Sequence, residues 1–187
     1  MGPRITGGKH KGLRLTVVRK SGLRPTTERL RGAVFSMLGA DAVEGRRVLD
    51  LFAGTGALGM EALSRGAASA DFVEVDFHLA RAIRESLAQA KMAGQGRVLR
   101  MKVERALDTL SAGYDLVFVD PPYGLADWDG LMSRIAGSGL TNAEGLVVVE
   151  HPSRIALAAR YGGMAQERRR RYGDSAVTFY RPEAGNG

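Results

Sequence analysis

The chain has 187 residues, 44% of them apolar, enough for one α/β domain with a full core and a modest extension. It contains no cysteine, which excludes disulfides and thiolate metal sites, and its three histidines (His10, His78, His151) have no metal-ligand spacing, so no metal is expected. Net charge is +7 and unevenly placed: residues 1–40 hold nine Lys and Arg against Glu28 alone, a local +8, while the rest of the chain holds 18 bases and 19 acids, or −1. A solvated basic face would account for such asymmetry; a polyanionic partner is the functional alternative. Nothing resembles a signal peptide, and no apolar run approaches the ~18 residues of a membrane span, so a cytoplasmic location without a membrane partner is expected.

In chain order, residues 1–18 hold two short extended runs broken by Gly7, Gly8 and Gly12, with alternation at Leu13, Leu15 and Val17. This predicts a small hairpin with basic side chains on its outer face. Pro25 ends an extended approach, and Thr26 or Thr27 caps a helix whose apolar face carries Leu30, Val34, Met37 and Leu38. That helix is expected to present Arg24, Arg29 and Arg31. From Arg47 on, strands and helices alternate: strands at 47–52, 70–75, 97–103, 114–119 and 146–150, and helices at 57–66, 79–92, near 105–110, and at 129–137. A short helix is predicted over Arg154 to Tyr161, followed by strands at 163–171 and 175–181 joined by the turn Tyr172-Gly-Asp-Ser175. The succession predicts an α/β fold with a seven-stranded, mostly parallel sheet and a closing antiparallel hairpin.

The chain is organised around Arg47-Val-Leu-Asp-Leu-Phe-Ala-Gly-Thr-Gly-Ala-Leu-Gly59. An apolar strand runs into glycines and then into a helix, the opening of a nucleotide-type binding fold. Gly54, Gly56 and Gly59 spell GxGxxG, which by itself also fits a structural turn or a dinucleotide site. A second motif, Asp120-Pro-Pro-Tyr123, follows the apolar strand Leu116–Val119. Two prolines rigidify that turn. A carboxylate and a fixed carbonyl are what an exocyclic amine needs to orient its N–H groups, and Tyr123 offers a face for a stacked base.

With Asp50 ahead of the first turn, these two motifs resemble an S-adenosyl-L-methionine-dependent amino-methyltransferase of the class I, Rossmann-like fold. The resemblance implies that Phe52, Ala53, Gly54, Thr55 and Gly56 contact the cofactor through their backbone. Glu74, at the end of the second strand, would accept from the ribose hydroxyls, and Asp50 would support the turn and the ammonium group. Asp120, Pro121, Pro122 and Tyr123 would carry catalysis. Such enzymes often carry an acid for the adenine amine after the third strand; here Arg105 stands in its place, so either Glu104 shifts into the role or a backbone group supplies the contact.

Arg4-Ile-Thr-Gly-Gly and Arg24-Pro-Thr-Thr-Glu-Arg29, together with the two turns and Tyr172-Gly-Asp, are similar to the bacterial family that methylates guanine N2 in 16S ribosomal RNA. The likeness runs over about residues 4–181. It implies a basic, RNA-recruiting hairpin and helix over residues 1–38, with Arg4, Lys9, Lys11, Arg14, Arg24 and Arg29 on RNA, and a methyltransferase domain over 39–183. The partner would be 16S rRNA in the small ribosomal subunit or its assembly intermediate, and the protein a monomer. The alternatives are an adenine-N6 DNA methyltransferase or another amino-methyltransferase with the same turn, a nicotinamide oxidoreductase using GxGxxG and Glu74, and a non-enzymatic ribosome-binding protein.

Overall fold

The computed structural model of the chain describes residues 2–17, 27–111, 113–122 and 124–183. Helix α1 (Glu28–Leu38) precedes β1 (Arg47–Asp50), α2 (Ala57–Ser64), β2 (Ser69–Val73), α3 (Phe77–Gln89), β3 (Gly96–Leu99) and α4 (Val103–Thr109). Then come β4 (Tyr114–Val119), α5 (Trp128–Gly137), β5 (Thr141–Pro152), β6 (Arg160–Tyr161), β7 (Met164–Tyr172) and β8 (Ser175–Pro182). The eight strands form one sheet in the order β3-β2-β1-β4-β5-β8-β7-β6. The first five in that order pair in parallel; β8, β7 and β6 are antiparallel.

This is the expected α/β architecture with its closing hairpin, enlarged by the two-residue strand β6. The central strands β1 and β4 are buried on both faces, which is why they read as apolar runs rather than as alternating sequences. One face carries α1, α2 and α3, with Phe35, Met60 and Ile83 packed on Phe72 and Phe118. The other carries α4 and α5, with Leu107, Trp128 and Met132 on Leu49, Val117 and Val149. Chain order reverses between β1 and β4, the switch point at which open α/β sheets hold their ligands.

Three sequence expectations change. The residues between β5 and β6 form no helix. Their carbonyls are taken by tertiary donors instead: Arg169 reaches Ser153 O, and the Tyr180 hydroxyl donates to Ala158 O at 2.7 Å. Strand β3 stops at Leu99, because Lys102 caps α4 and Val103 already opens that helix. Arg31 is not presented to solvent but is fully buried. The arm, described over residues 2–17, is pinned to the domain, with Ile5 and Leu15 in the first core; Arg4 and Arg14 pair as an isolated antiparallel bridge, while Arg4, Lys9, Lys11 and Arg14 are exposed as expected. Thr27 caps α1 through Leu30 N–H, and Thr26 lies outside the described residues.

The attachment runs through α2. The Glu61 carboxylate, with no exposed surface, accepts from Thr6 N–H (2.7 Å), the Thr6 hydroxyl (2.8 Å), Arg31 Nε (3.1 Å) and Arg65 Nε (2.8 Å). Arg31 also donates to Arg4 O. One turn on, Lys9 N–H caps the Ser64 carbonyl at 2.7 Å, and the Ser64 side chain bridges Gly7 O and His10 N–H. Gly8 has φ of +76°, and a Cβ there would lie 1.9 Å from Ser64 O. The Gly-Gly pair therefore lets the arm's backbone close on the carboxyl end of α2.

Removing the Glu61 charge leaves Arg31 buried without its counter-ion, the costly way to break an internal pair. Glu61→Gln should lower the free energy of unfolding by about 3–5 kcal/mol, measured by denaturant titration. A loss below about 1 kcal/mol, the scale of an exposed pair, would show that the arm does not depend on this contact.

Candidate active site

The carboxyl ends of β1, β2 and β4 gather the residues singled out in the sequence. Past Asp50 the chain stays attached to both neighbours: Leu51 N–H donates to Phe118 O at 3.0 Å and Ala53 N–H to Val73 O at 3.0 Å. Gly54 and Gly56 then take φ of +54° and +75°. Gly56 caps α2 without a side chain, and of the first three N–H groups of the helix the Gly59 one goes to Asp50, so those of Ala57 and Leu58 can face a ligand. Gly59 serves packing, since a Cβ there would lie 2.3 Å from the Phe72 ring. The three glycines thus divide into two turn formers and one close helix–strand contact.

Glu74, half-buried, holds this turn from the side. One carboxylate oxygen accepts Gly54 N–H at 2.8 Å and the other accepts Asp76 N–H at 2.8 Å. A carboxylate has roughly four acceptor positions, so both oxygens retain capacity for a diol. Asp76 in turn caps α3 through His78 and Leu79 N–H. Val75 and Phe77 flank it and are 58% and 53% exposed, unusual for side chains of that size. Sequence reading gave them no role; from their position near Glu74 they could form an apolar wall for a flat ring.

Asp50 is buried. One of its oxygens accepts Gly59 N–H at 3.1 Å, and Oδ1 has no hydrogen-bond partner among the described residues. Burial pushes its carboxyl up to about 7; the Gly59 N–H opposes this, and the negative charges of Asp120 and Glu74 add to it. These three carboxylates therefore sense one another at one sheet edge. Asp120 follows β4 directly, with Pro121 buried and Pro122 exposed. Tyr123 lies outside the described residues. Phe52 and Thr55 are partly buried and Ala53 buried in the turn. Glu104 is exposed in the first turn of α4 and is not drawn into these contacts; its carbonyl accepts from Arg134.

The site can hold a positively charged, ring-bearing ligand: buried and half-buried carboxylates, a turn offering N–H groups, and an apolar wall. Among the described residues no group of three or more His, Cys, Asp and Glu could hold a metal ion, and no helix is long and apolar enough to cross a membrane.

Of the expected RNA-contacting residues, Arg4, Lys9, Lys11, Arg14 and Arg29 are exposed, and Arg24 lies outside the described residues. A second basic surface escaped the sequence reading. Strand β7 carries Arg168, Arg169, Arg170 and Arg171, three of them exposed. Arg168 instead lies over the Phe179 ring at 4.3 Å and donates to Met37 O at 2.9 Å, near the carboxyl end of α1.

Asp50 gives the fold a pH dependence. Its folded pKa, about 7, lies above the ordinary carboxyl value of 3.8, so the folded chain keeps a proton that the unfolded chain releases in that interval. The stabilisation is complete at low pH and is lost as pH rises through about 7. Thermal melts of the wild type should therefore lose stability relative to Asp50→Asn between about pH 4 and 7, and level off above that. A difference independent of pH would return Asp50 to the ordinary carboxylate range.

Comparison with known proteins agrees with this geometry. Residues 3–181 match the family described as conserved hypothetical protein 95. The ribosomal RNA small subunit methyltransferase D of Escherichia coli (strain K12) is 35% identical over 181 residues, covering 97% of this chain and 90% of that protein. The solved structure of yhhF from Escherichia coli superposes with a TM-score of 0.83 at 34% identity, covering 97% of this chain and 98% of the other. An RNA methyltransferase from Salinibacter ruber, in complex with S-adenosyl-L-homocysteine, shares the fold at 16% identity with a TM-score of 0.66, covering 87% of this chain and 96% of that one. With its switch-point glycine turn, its Asp-Pro-Pro turn and these relatives, the chain belongs to a family of class I, S-adenosyl-L-methionine-dependent rRNA methyltransferases.

Proposed function

We propose that this protein methylates the exocyclic N2 amine of a guanine in 16S rRNA, acting in the cytoplasm on the small ribosomal subunit or its assembly intermediate. The observation that carries the reading is the Asp120-Pro121-Pro122 turn, set one strand from Asp50 and the glycine turn. The name of the Escherichia coli relative supports the small subunit as the particle.

The residues fit S-adenosyl-L-methionine on their own chemistry. Asp50 offers a buried, unsatisfied oxygen for a cationic group, Glu74 offers acceptors for a ribose diol, and Val75 and Phe77 offer a wall for adenine. The bound group supplies an activated methyl on a positive sulfur. The protein's part is then positional. An aryl amine is a poor nucleophile because its lone pair is drawn into the ring. Asp120 and the carbonyl of the rigid turn accept its hydrogens and hold the lone pair away from the ring plane. Asp120 also offsets the positive charge that develops on nitrogen and receives the proton it sheds. Pro121 and Pro122 fix the turn, and Tyr123 supplies a stacking face. For the adenine amine, Glu104 or a nearby backbone group remains the proposed contact.

Recruitment falls to exposed cations. Arg4, Lys9, Lys11 and Arg14 on the arm, Arg29 at α1, and Arg169, Arg170 and Arg171 of β7 form the proposed phosphate-binding surface, and Arg24, which lies outside the described residues, is proposed to join them. The target base must be extruded to reach the sheet edge, and extrusion needs the flanking strand gripped.

Two experiments test this reading. Tritiated methyl transfer to small subunits from a strain lacking the enzyme, followed by nucleoside analysis, should yield N2-methylguanosine; any other methylated nucleoside overturns the substrate assignment. Asp120→Ala should lower turnover by about a hundredfold or more while leaving calorimetric affinity for S-adenosyl-L-methionine within a few-fold. Near-normal turnover would remove Asp120 from the mechanism. Separately, Lys9→Glu with Lys11→Glu should flatten the salt dependence of RNA binding by about two units of slope without changing cofactor affinity. An unchanged slope would take the arm off the RNA.

A further inference from the structure

A cleft of about 270 Å³ opens between the start of α1 and the β7–β8 turn, lined by Thr27, Arg29, Leu30, Glu150, Tyr172 and Ser175. It lies at the same sheet edge as the site above. Strands β4 and β5 run parallel, with Val119 opposite Val149, so the next residue of each, Asp120 and Glu150, come level. Side chains alternate between faces. Phe118 and Val148 lie in the α1-side core and Val119 and Val149 in the other, which returns both Asp120 and Glu150 to the α1 side. Glu150 is held there by the Ser175 hydroxyl at 3.3 Å, and β8 carries that serine opposite Pro152. The β7–β8 loop is two residues long, Gly173 at φ of +60° and Asp174, so the wall carrying Tyr172 is a tight turn.

Asp120 and Glu150 thus follow level positions on neighbouring strands, whose backbones lie roughly 4.8 Å apart in the hydrogen-bonding direction. One borders the proposed methyl-transfer position and the other borders the cleft. A base seated across them must show two adjacent donors. Guanine does so, with N1–H next to its exocyclic amine. Adenine and cytosine place a ring nitrogen lone pair beside their amine, which would face a negative oxygen. Uracil has the ring N–H but no amine. Arg29, lining the same cleft, supplies donors for a carbonyl oxygen on the far side of N1, and the Tyr172 ring offers a face for the purine. The volume lies just below the ~300 Å³ lower end of ligand pockets, which suits one base rather than a whole nucleotide.

We propose that this cleft is the target-base pocket and that Glu150 reads guanine by accepting its N1–H while Asp120 engages the amine. The assignment rests on the guanine-N2 reading given above and deepens it. Glu150 is a specificity residue here: it touches the base, away from the transferred methyl. A site built to accept a substrate N–H rejects an analogue that lacks it, because the buried acceptor is then left facing a lone pair.

The test uses the full-length protein and small subunits reconstituted with either guanine or 2-aminopurine at the position that nucleoside analysis shows to be methylated. 2-Aminopurine keeps the amine but has no hydrogen on N1. The wild type should favour guanine by about tenfold or more in kcat/KM. Glu150→Gln is isosteric, and its amide can donate to the bare N1. It should narrow the preference by about tenfold, with cofactor affinity unchanged. Glu150→Ala should raise KM for guanine subunits more than it lowers kcat. If the wild type forms N2-methylguanosine and the Gln variant keeps the full preference, the pocket assignment fails alone. If the wild type forms a different nucleoside, the guanine-N2 reading fails first and this inference with it.

Discussion

One carboxylate holds three segments of this chain together. Glu61 accepts four hydrogen bonds with no exposed surface, from the arm through Thr6, from α1 through Arg31 and from its own helix through Arg65. A buried anion is tolerated only when its acceptor positions are filled and its charge is balanced. Here Arg65 is a neighbour on the same helix but Thr6 and Arg31 are distant in sequence, so the set of contacts is complete only when the arm and α1 are both in place. Helix α2 is also the helix whose amino end faces the candidate cofactor site. Its carboxyl end is closed by Lys9 N–H and the Gly7–Gly8 backbone. The arm therefore seats the helix that carries the glycine turn, whatever its exposed lysines and arginines do on RNA.

The candidate site follows from what a parallel sheet can leave open. Both faces of β1 and β4 are covered, so polar side chains find room only where the strands end. Asp50, Glu74 and Asp120 stand there, and Glu150 one strand further along. Burial opposes ionisation there and the neighbouring negative charges add to it, so Asp50, the most deeply buried, holds its proton toward neutral pH. Such an edge favours what is positive or rich in N–H groups. A sulfonium cofactor is of that kind, and so is the amine-bearing base proposed above, so the same field would serve both halves of the proposed reaction.

The parallel half of the sheet was legible in the sequence because burial on both faces writes continuous apolar runs; strand β4 was read to the residue. The glycine turn was legible because Gly54 and Gly56 do adopt positive φ. What escaped were features written only in tertiary contacts. The segment after β5 has a helical composition, yet Arg169 and Tyr180 bind its carbonyls. Arg31 looked like one more surface cation, since nothing local marks Glu61, thirty positions away, as its partner. The β7 arginines were hidden by a charge tally that cancels them against acids elsewhere in the chain. Glu150 read as the end of an apolar strand, and only the register with β4 brings it level with Asp120.

Helix α1 joins these parts. Arg31 and Val34 point inward, one to Glu61 and the other into the core, while Thr27, Arg29 and Leu30 line the cleft. Near its far end, Met37 receives Arg168 through its carbonyl and the Tyr172 hydroxyl through its sulfur. The helix is therefore fixed to α2 by a buried ion pair and to the closing hairpin by a guanidinium stacked on Phe179. Arm, cleft and hairpin cannot shift independently of it. An RNA strand gripped by the arm and by β7 would be held at a set distance from the pocket wall. That is the preorganisation an extruded base requires, since misplacement by about 1 Å at the reacting nitrogen is enough to lose most of the rate.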